Sequence, residues 1–563
     1  METIIGIDLG TSTTEVAVIR NGKPEIILNF DGEKVTPSVV GIDDSGNILV
    51  GESALARQII APEQTVIEIK RKMGLNERVH LGKTIFTPEQ ISAQILSYVK
   101  RFVGEYMEED ITKAVISVPA YFDEIQRQAT VEAGRQAGFS VERIINEPTA
   151  AALSYGLSHL DEESHILVYD FGGGTFDVTL LEMFGGVLEV KASNGDNQLG
   201  GKDFDQKLID FLVERFEEKN GVDLRKDIYA MTRLKSEAIK CKIALSSNEQ
   251  SEIIIPMIAN KDGKPLALEE TITRTQFEEL ISELVERTHE PIDIVLNDSG
   301  VSEKDLDMIL LVGGSTRVPI IKEDIAQYLG KEPVQAIDPD YAVAEGAAIQ
   351  AGILSGALDG DDSIVITDVN PYTLGIRALS YDDFDYMSVI IPRNTTIPVT
   401  KKELYYTSWD NQTSALIEVF QGESSTASHN HCLGTFHIEG IPSRRAGLEK
   451  IEVSFSYNLN GMLNVEAYIP STGNAAEITI DMLNQNDKKE QRIDVSNWKK
   501  SPLAPDFRPL VRRCEKWLSS GKIAEEDLEY VQDCLYSLKK AIIEEDLENA
   551  EWYENEIHEL MEE

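Results

Sequence analysis

Two stretches of the chain say almost the same thing. IIGIDLGTSTTEVAVI runs from Ile4 to Ile19, and ILVYDFGGGTFDVTLLEM runs from Ile166 to Met183. Each reads as an apolar strand, an aspartate, an apolar residue, glycine, small hydroxyl residues and a second apolar strand. The pattern predicts a β-hairpin whose tight turn offers backbone N–H groups and hydroxyls to phosphate oxygens. Glycine suits the turn because a Cβ would block close approach and because a tight turn needs permissive φ. Asp8 and Asp170, at the strand ends, would repel phosphate directly and make sense with Mg²⁺ and its waters between. Two such hairpins face to face would clamp one polyphosphate, and the echo predicts an internally duplicated α/β domain. A third turn, LLVGGSTRVP at 310–319, sits between an apolar strand and a helix, with Gly313 and Gly314 able to approach a nucleotide.

The texture changes twice. Residues 1–360 alternate strands, glycine turns and amphipathic helices, and 361–370 reads as an interdomain linker, acidic and then apolar at Ile364, Val365 and Ile366. Residues 371–485 read as β-rich. IEVSFSYNLNGMLNVEAYI alternates on both sides of Asn460-Gly461, which predicts an antiparallel pair, with further strands at 415–420 and 388–392. Prolines 502, 505 and 509 argue against a long helix there. Leu535, Leu538 and Ile542 then recur at helical spacing, so 504–563 reads as a helical subdomain. At 563 residues the chain exceeds one core.

A net charge of −44 disfavours nucleic acid and anionic lipid as partners. No apolar run approaches the roughly 20 residues of a membrane helix, METIIGIDLG reads as the start of a strand and not as a leader, and Cys241, Cys432, Cys514 and Cys534 show no metal or disulfide spacing. Free thiols in a cytoplasmic setting are expected.

The ordered set of motifs resembles the heat shock protein 70 family, the DnaK type. It comprises DLGT at 8–11, VISVPAYF at 115–122, NEPTAAA at 146–152, DFGGGTFD at 170–177, NGDNQLGGKDFD at 194–205 and VGGSTR at 312–317. RNTTIP at 393–398, DNQ at 410–412, VFQGE at 419–423 and NGMLNVEA at 460–467 continue it, and ITDVNPYTLGI looks most like the divergent HscC-type bacterial members. The resemblance implies a multidomain protein: an actin-like ATPase domain, a β-sandwich that binds peptide, and a helical lid shortened here. It implies ATP/ADP, Mg²⁺ and K⁺ as cofactors. Client peptides, a J-domain co-chaperone and a nucleotide exchange factor would be its partners, and the chain would be a monomer.

By the same resemblance Gly10, Thr11, Ser12, Thr13, Gly172, Gly173, Gly174, Thr175 and Gly201 would surround the phosphates, with Asp8 and Asp170 holding the metal and its waters. Lys70 would reach the γ-phosphate and attacking water, Glu147 would orient metal-bound water, and Asp177 would polarise the nucleophile and bind a monovalent cation. Lys242, Ser246, Gly313, Gly314, Ser315, Arg317 and Asp340 would hold adenosine. Ile239 and Tyr341 stand where the family has acids, and Ile239 cannot accept a ribose hydrogen bond, so weaker adenine-nucleotide binding is expected. Pro119 would be a conformational relay with Arg127 as its surface partner, and Arg143 would meet Asp368 between domains. Thr367 puts a hydroxyl where an aliphatic group would dock. Ile376, Leu379, Tyr405, Ser408, Ala415 and Ile417 would line or arch over a peptide cleft, with Ala415 making it roomier and the acidic loop 380–386 favouring basic peptides. The alternatives are a small-molecule kinase of the actin-like superfamily and a nucleotide-sensing filament protein. Neither accounts for the β-rich and helical regions after residue 370.

Overall fold

Each echoing segment folds as an antiparallel hairpin, since apolar residues on both sides of the turn can be buried on both faces of a covered sheet. β1 (Ile4–Leu9) pairs with β2 (Thr13–Arg20), and β3 (Lys23–Ile26) completes a meander. β4 (Lys113–Val118) runs parallel to β1 on its other edge, and β5 (Ser140–Asn146) runs parallel to β4. The second sheet repeats this. β6 (Ser164–Phe171), β7 (Phe176–Phe184) and β8 (Val187–Asp196) form the meander, and β9 (Met308–Val312) runs parallel to β6. A backbone bridge from Leu310 to Val334 stands where β5 stands in the first sheet. Strand order and direction thus carry the duplication.

The computed structural model describes residues 2–75, 77–157, 159, 163–334, 338–358, 365–379, 385–457, 462–481, 495–518, 525–544, 553 and 557. Residues 1–484 form one compact unit and 485–563 another.

Helices join the two sheets at very short range. α1 (Glu147–Gly156) follows β5, and α2 (Gly201–Asn220) and α3 (Ile228–Leu245) pack Phe204, Leu208, Leu234 and Ala238 over the second sheet. α4 (Ala342–Ser355) crosses both α1 and β1. A Cβ on Gly346 would lie 1.7 Å from the Ala150 carbonyl oxygen, and one on Gly6 would lie 2.1 Å from the Ala348 nitrogen. Backbone therefore meets backbone at the junction of the halves.

The linker enters the second sheet. β10 (Val365–Val369) runs parallel to the edge of β8, pairing Leu188 with Ile366 and Glu189 with Thr367, and it pairs antiparallel with Thr396–Ile397. Two four-stranded antiparallel sheets follow. One is ordered Tyr386–Ile391, Leu374–Ala378, Ser414–Gln421, His431–Glu439, and the other Val399–Tyr406, Lys450–Tyr457, Met462–Ile469, Asn474–Asp481. Ile376, Ile417, Val419, Val453, Phe455 and Val465 share one core between them, so this is a β-sandwich. The Asn460-Gly461 turn, residues 361–364 of the linker and residues 380–384 of the acidic loop lie outside the described residues.

In the second unit Ala504–Leu518 and Glu525–Glu544 are helices around Trp498, Phe507, Val511, Val531, Leu538 and Ile542. The first of these begins at Ala504, and the stretch before it, with a 3-10 turn at Val495–Lys500, is not a long helix, as the prolines predict. Pro505 falls in the opening turn of the helix, where its missing N–H costs nothing, and Pro509 is accommodated inside it. Most of the acidic C-terminal twenty residues lie outside the described ones. All four cysteines are free, and no helix among the described residues is long and apolar enough to cross a membrane.

In β10 the Thr367 hydroxyl is buried and has no hydrogen-bond partner among the described residues. Replacing it with an isosteric methyl removes a desolvation cost of about 1 kcal/mol. Thr367→Val is expected to slow hydrogen exchange of the 365–369 amides about five-fold; unchanged exchange would contradict this.

Candidate functional site

The two hairpin turns press against each other. A Cβ on Gly173 would lie 2.2 Å from the Ser12 hydroxyl, and one on Gly174 would lie 2.7 Å from the Thr11 side chain. Gly10 is closed against Thr13, where a Cβ would fall 2.4 Å from the carbonyl oxygen. None of Gly10, Gly172, Gly173 and Gly174 has a left-handed φ; within the third turn Gly313 does, at +81°. This corrects one half of the expectation about these glycines. Close approach, not a special φ, requires them in the two hairpins.

Donors behind the second turn hold its carbonyls. Ser315 Oγ and the Gly201 N–H donate to the Gly172 oxygen at 2.8 and 3.0 Å, and the Lys202 N–H donates to that of Gly173 at 2.9 Å. Arg71 donates to the Gly174 oxygen at 2.9 and 3.0 Å while pairing with Asp203 at 2.5 Å. These bonds fix the main chain of the turn from behind, and Gly172, Gly173 and Thr175 face the other side.

The other side is a cavity of about 1180 Å³. Gly10, Thr11, Ser12, Thr13, Gly172, Gly173, Thr175, Gly201, Lys242, Ser246, Gly313, Gly314, Ser315, Arg317 and Asp340 line it, and so do Asp8, Lys70, Glu147 and Asp170. Gly174 sits just behind the lining, and Asp177 is buried beneath it. The structure therefore brings together the residues expected to surround the phosphates, the metal and the nucleoside.

The floor carries more negative charge than positive. Lys70, buried at 5% exposure, pairs with Glu147 among Asp8, Asp170 and Asp177. Burial alone would depress the Lys70 ammonium, but the charges of Glu147 and Asp8 outweigh it and hold its pKa above the usual lysine range. Burial, with Glu147 nearby, pushes Asp8 and Asp177 each up to about 7, although the Ser117 hydroxyl donates to Asp8 at 2.8 Å. Asp170 is driven well above the carboxylate range by burial, Glu147 and Asp177. One oxygen of Asp170 and one of Asp177 are buried without a partner among the described residues. Orphaned carboxylate oxygens beside this cavity fit a divalent cation. Among the described residues no cluster of three or more ligands forms a protein cage. A hard cation such as Mg²⁺, held by few carboxylates, waters and phosphate oxygens, suits that arrangement.

Toward the nucleoside end Lys242 pairs with buried Asp205 at 2.8 Å and donates to the Gly201 oxygen at 3.1 Å. Arg317 pairs with Asp340 at 2.6 Å, and Ile239 presents an apolar side chain to the same cavity. Asp205 and Arg71 were not anticipated. The signal for Asp205 was a carboxylate amid the apolar face of α2, beside Phe204 and Leu208; Arg71 differed from any surface arginine only in following Lys70.

The residues expected to bind peptide divide. Ile376 and Ile417 are filled core positions, Ala415 packs against that core, and the Tyr405 hydroxyl bonds Ser388 Oγ at 2.8 Å, so these four meet on the inner faces of the sandwich. Leu379 and Ser408 are exposed. The expected contact of Arg143 with Asp368 is also revised. The Asp368 carboxylate accepts two bonds from Asn146 Nδ2, at 3.0 Å each, and one from the Val369 N–H at 2.9 Å, and Arg127 donates to the Asn146 oxygen at 2.7 Å. Arg143 forms no direct ion pair with Asp368 and acts on it only through space. Arg127 also donates to the carbonyls of Ala120 and Phe122, which ties it to the turn after Pro119.

A protein-family model described as Hsp70 protein matches residues 4–80 and 76–562.

Lys70→Met leaves Glu147 and its neighbours buried without their ammonium. A loss of about 3–5 kcal/mol is expected in the first urea-unfolding transition; an unchanged midpoint would show that the pair contributes nothing.

Proposed function

The chain belongs to the Hsp70 family, and on that premise we propose that it is an ATP-driven chaperone whose β-sandwich binds extended apolar peptide and whose peptide release is coupled to the nucleotide state. The observation that carries the ATPase half is the pair of glycine turns pressed together over a buried Lys70–Glu147 pair and two orphaned aspartate oxygens.

Hydrolysis of a terminal phosphoryl group asks mainly for positioning and charge neutralisation. The amides of Gly173 and Gly174 and the hydroxyls of Thr11, Ser12 and Thr175 would hold the phosphates. Lys70 would place its ammonium at the γ-phosphate, with Glu147 fixing that ammonium from behind. Asp177 would accept a hydrogen bond from the attacking water and hold K⁺. Asp8 and Asp170 would hold Mg²⁺ and its waters; when bound, the ion supplies neutralisation of the phosphate oxygens. Lys242, Ser246, Arg317 and the glycines at 313–314 would hold adenosine.

In this reading residues 1–360 form the nucleotide-binding part, 361–370 the linker, 371–485 the peptide-binding part and 504–563 a shortened lid. Extended peptide would be held by main-chain bonds and an apolar pocket opening between Ile376, Tyr405, Ala415 and Ile417. Because Ile376 and Ile417 are filled core positions in this conformation, the pocket must open by separation of the inner faces. A J-domain protein and an exchange factor would be partners in a cytoplasmic cycle, and the HscC-type resemblance points to a specialised client. A small-molecule kinase is not favoured.

ATP turnover by the full chain is expected to rise on adding an extended apolar peptide; ADP release that depends on a sugar and ignores peptide would favour the kinase. Ile239 removes an acceptor for a ribose hydroxyl, a bond worth about 1 kcal/mol. Ile239→Glu is accordingly expected to tighten ADP binding about five-fold by calorimetry, and equal affinities would refute the assignment of that corner.

A further inference from the structure

A side-chain hydrogen bond ties the two sheets of the sandwich together across their inner faces. Ser388 stands opposite Ile376 in the first sheet, and Tyr405 stands opposite Ile451 in the second. Directly opposed residues of an antiparallel pair share a face. Ile376 and Ile451 are buried core, so both hydroxyls point into the space between the sheets, where Ser388 Oγ and Tyr405 Oη meet at 2.8 Å. Ser388 and Tyr405 are themselves half-buried, at the margin of that core.

Each hydroxyl is carried by its own sheet. A Cβ on Gly375 would lie 2.1 Å from the Ser388 carbonyl oxygen, so the strand Tyr386–Ile391 lies hard against Leu374–Ala378 at that point. Tyr405 belongs to a pairing that runs unbroken from Val399 opposite Tyr457 to Tyr406 opposite Lys450. Burial pushes the Tyr405 hydroxyl up to about 12, so it is a neutral donor and acceptor throughout the physiological range.

We propose that this hydroxyl pair selects the side chain that anchors a client: the pocket takes tyrosine in preference to phenylalanine or leucine. The proposal rests on the peptide-binding reading given above and narrows it to one class of substrate.

The inner faces must part for a side chain to enter, because Ile376 and Ile417 already fill the core. Parting them breaks the bond between Ser388 and Tyr405, since neither sheet lets its hydroxyl follow the other. An alkyl or phenyl group inserted there would leave two hydroxyls facing carbon. A buried donor or acceptor left without a partner costs more than the net worth of the bond it lost. Tyrosine removes that cost. Its hydroxyl both donates and accepts, so one group can serve the acceptor left on one side and the donor left on the other. An indole N–H only donates, so tryptophan replaces half of what was lost. Ala415, opposite Ile438, supplies a single methyl to this wall, which leaves a ring less to displace than a larger aliphatic residue would.

A pocket lined only by hydrocarbon has the opposite order. Phenylalanine is then the easier side chain to remove from water, because tyrosine must give up the hydration of its hydroxyl. A preference for tyrosine over phenylalanine is therefore a sign that polar partners inside the pocket produce and apolar burial does not.

The test is binding of a fluorescein-labelled extended peptide to the full chain with ADP, read by anisotropy. The peptide is apolar throughout and carries leucine, phenylalanine or tyrosine at its centre. In the unaltered chain the tyrosine peptide is expected to bind about ten-fold more tightly than the phenylalanine peptide, the effect of a buried hydrogen bond made instead of left unmade. In the double variant Tyr405→Phe with Ser388→Ala both hydroxyls are gone. The order of tyrosine and phenylalanine is expected to reverse there, and the leucine and phenylalanine peptides to bind more tightly than they do to the unaltered chain. Equal binding of the tyrosine and phenylalanine peptides by the unaltered chain, a comparison that needs no variant, overturns the proposal, as does a tyrosine preference that survives in the double variant. The leucine peptide keeps the underlying reading separate. Binding of leucine and phenylalanine with no gain for tyrosine leaves the peptide cleft in place and removes only the role of the hydroxyl pair. Binding of none of the three removes the cleft and this proposal with it.

Discussion

Everything in the first unit depends on two polypeptide turns that come closer than side chains allow. Gly173 and Gly174 sit where a Cβ would overlap Ser12 and Thr11, and behind them Gly200 and Gly201 repeat the condition against Gly174 and Ser315. Such an approach holds only if the strands carrying the turns are aimed at each other. Gly346 and Gly6 supply that aim by letting α4 rest directly on α1 and β1. The duplicated sheets are thus locked at the helix junction and at the turns, and the cavity is the space left between.

The same closeness explains the charge arrangement. Four carboxyl groups, Asp8, Glu147, Asp170 and Asp177, are withdrawn from water around one ammonium because two strand ends and one helix start converge there. Left alone the cluster is unfavourable, since buried carboxylates are forced toward their neutral forms. It becomes favourable with a cation and an anion between the groups. Strain of this kind at a ligand site is where local stability is exchanged for binding.

The features legible in the sequence were those that are local. Period-two alternation marked the strands, the Asp-x-Gly spacing marked the turns, and the repetition of that spacing marked the duplication. The features that escaped it arise from contact between distant segments. Arg71 gains its meaning only by reaching Gly174 and Asp203, and Asp205 only by meeting Lys242. Alternation also cannot separate a groove from a core. Ile376 and Ile417 occupy inward positions that a peptide cleft and a closed sandwich would equally demand, and in this conformation they are filled core. The glycine turns show a subtler limit. The residue type was required, but the reason was proximity, which no φ preference reveals. Asn146 intervened between Arg127 and Asp368 because the end of β5 lies nearer the linker than Arg143 does.

The contact between the sandwich and the nucleotide-binding part is assembled from small pieces. β10 adds a short edge pairing to β8, Asn146 holds Asp368, Tyr372 bonds Tyr121, and Asp298 receives Arg393 and Asn394 while Asn394 accepts the Ser193 N–H. Each hydrogen bond contributes about 1 kcal/mol net, and the partly exposed Arg393 pair less. The unpartnered Thr367 hydroxyl subtracts a similar amount. The balance is on the order of a few kcal/mol, below the roughly 5.5 kcal/mol by which a ligand must discriminate to carry a two-state equilibrium from one side to the other. An apolar residue in place of Thr367 would deepen the docked state by about 1 kcal/mol. Under the proposed reading, an interface of this depth is one that nucleotide on one side and peptide on the other would each be able to overturn, which is the condition for two sites to sense one another.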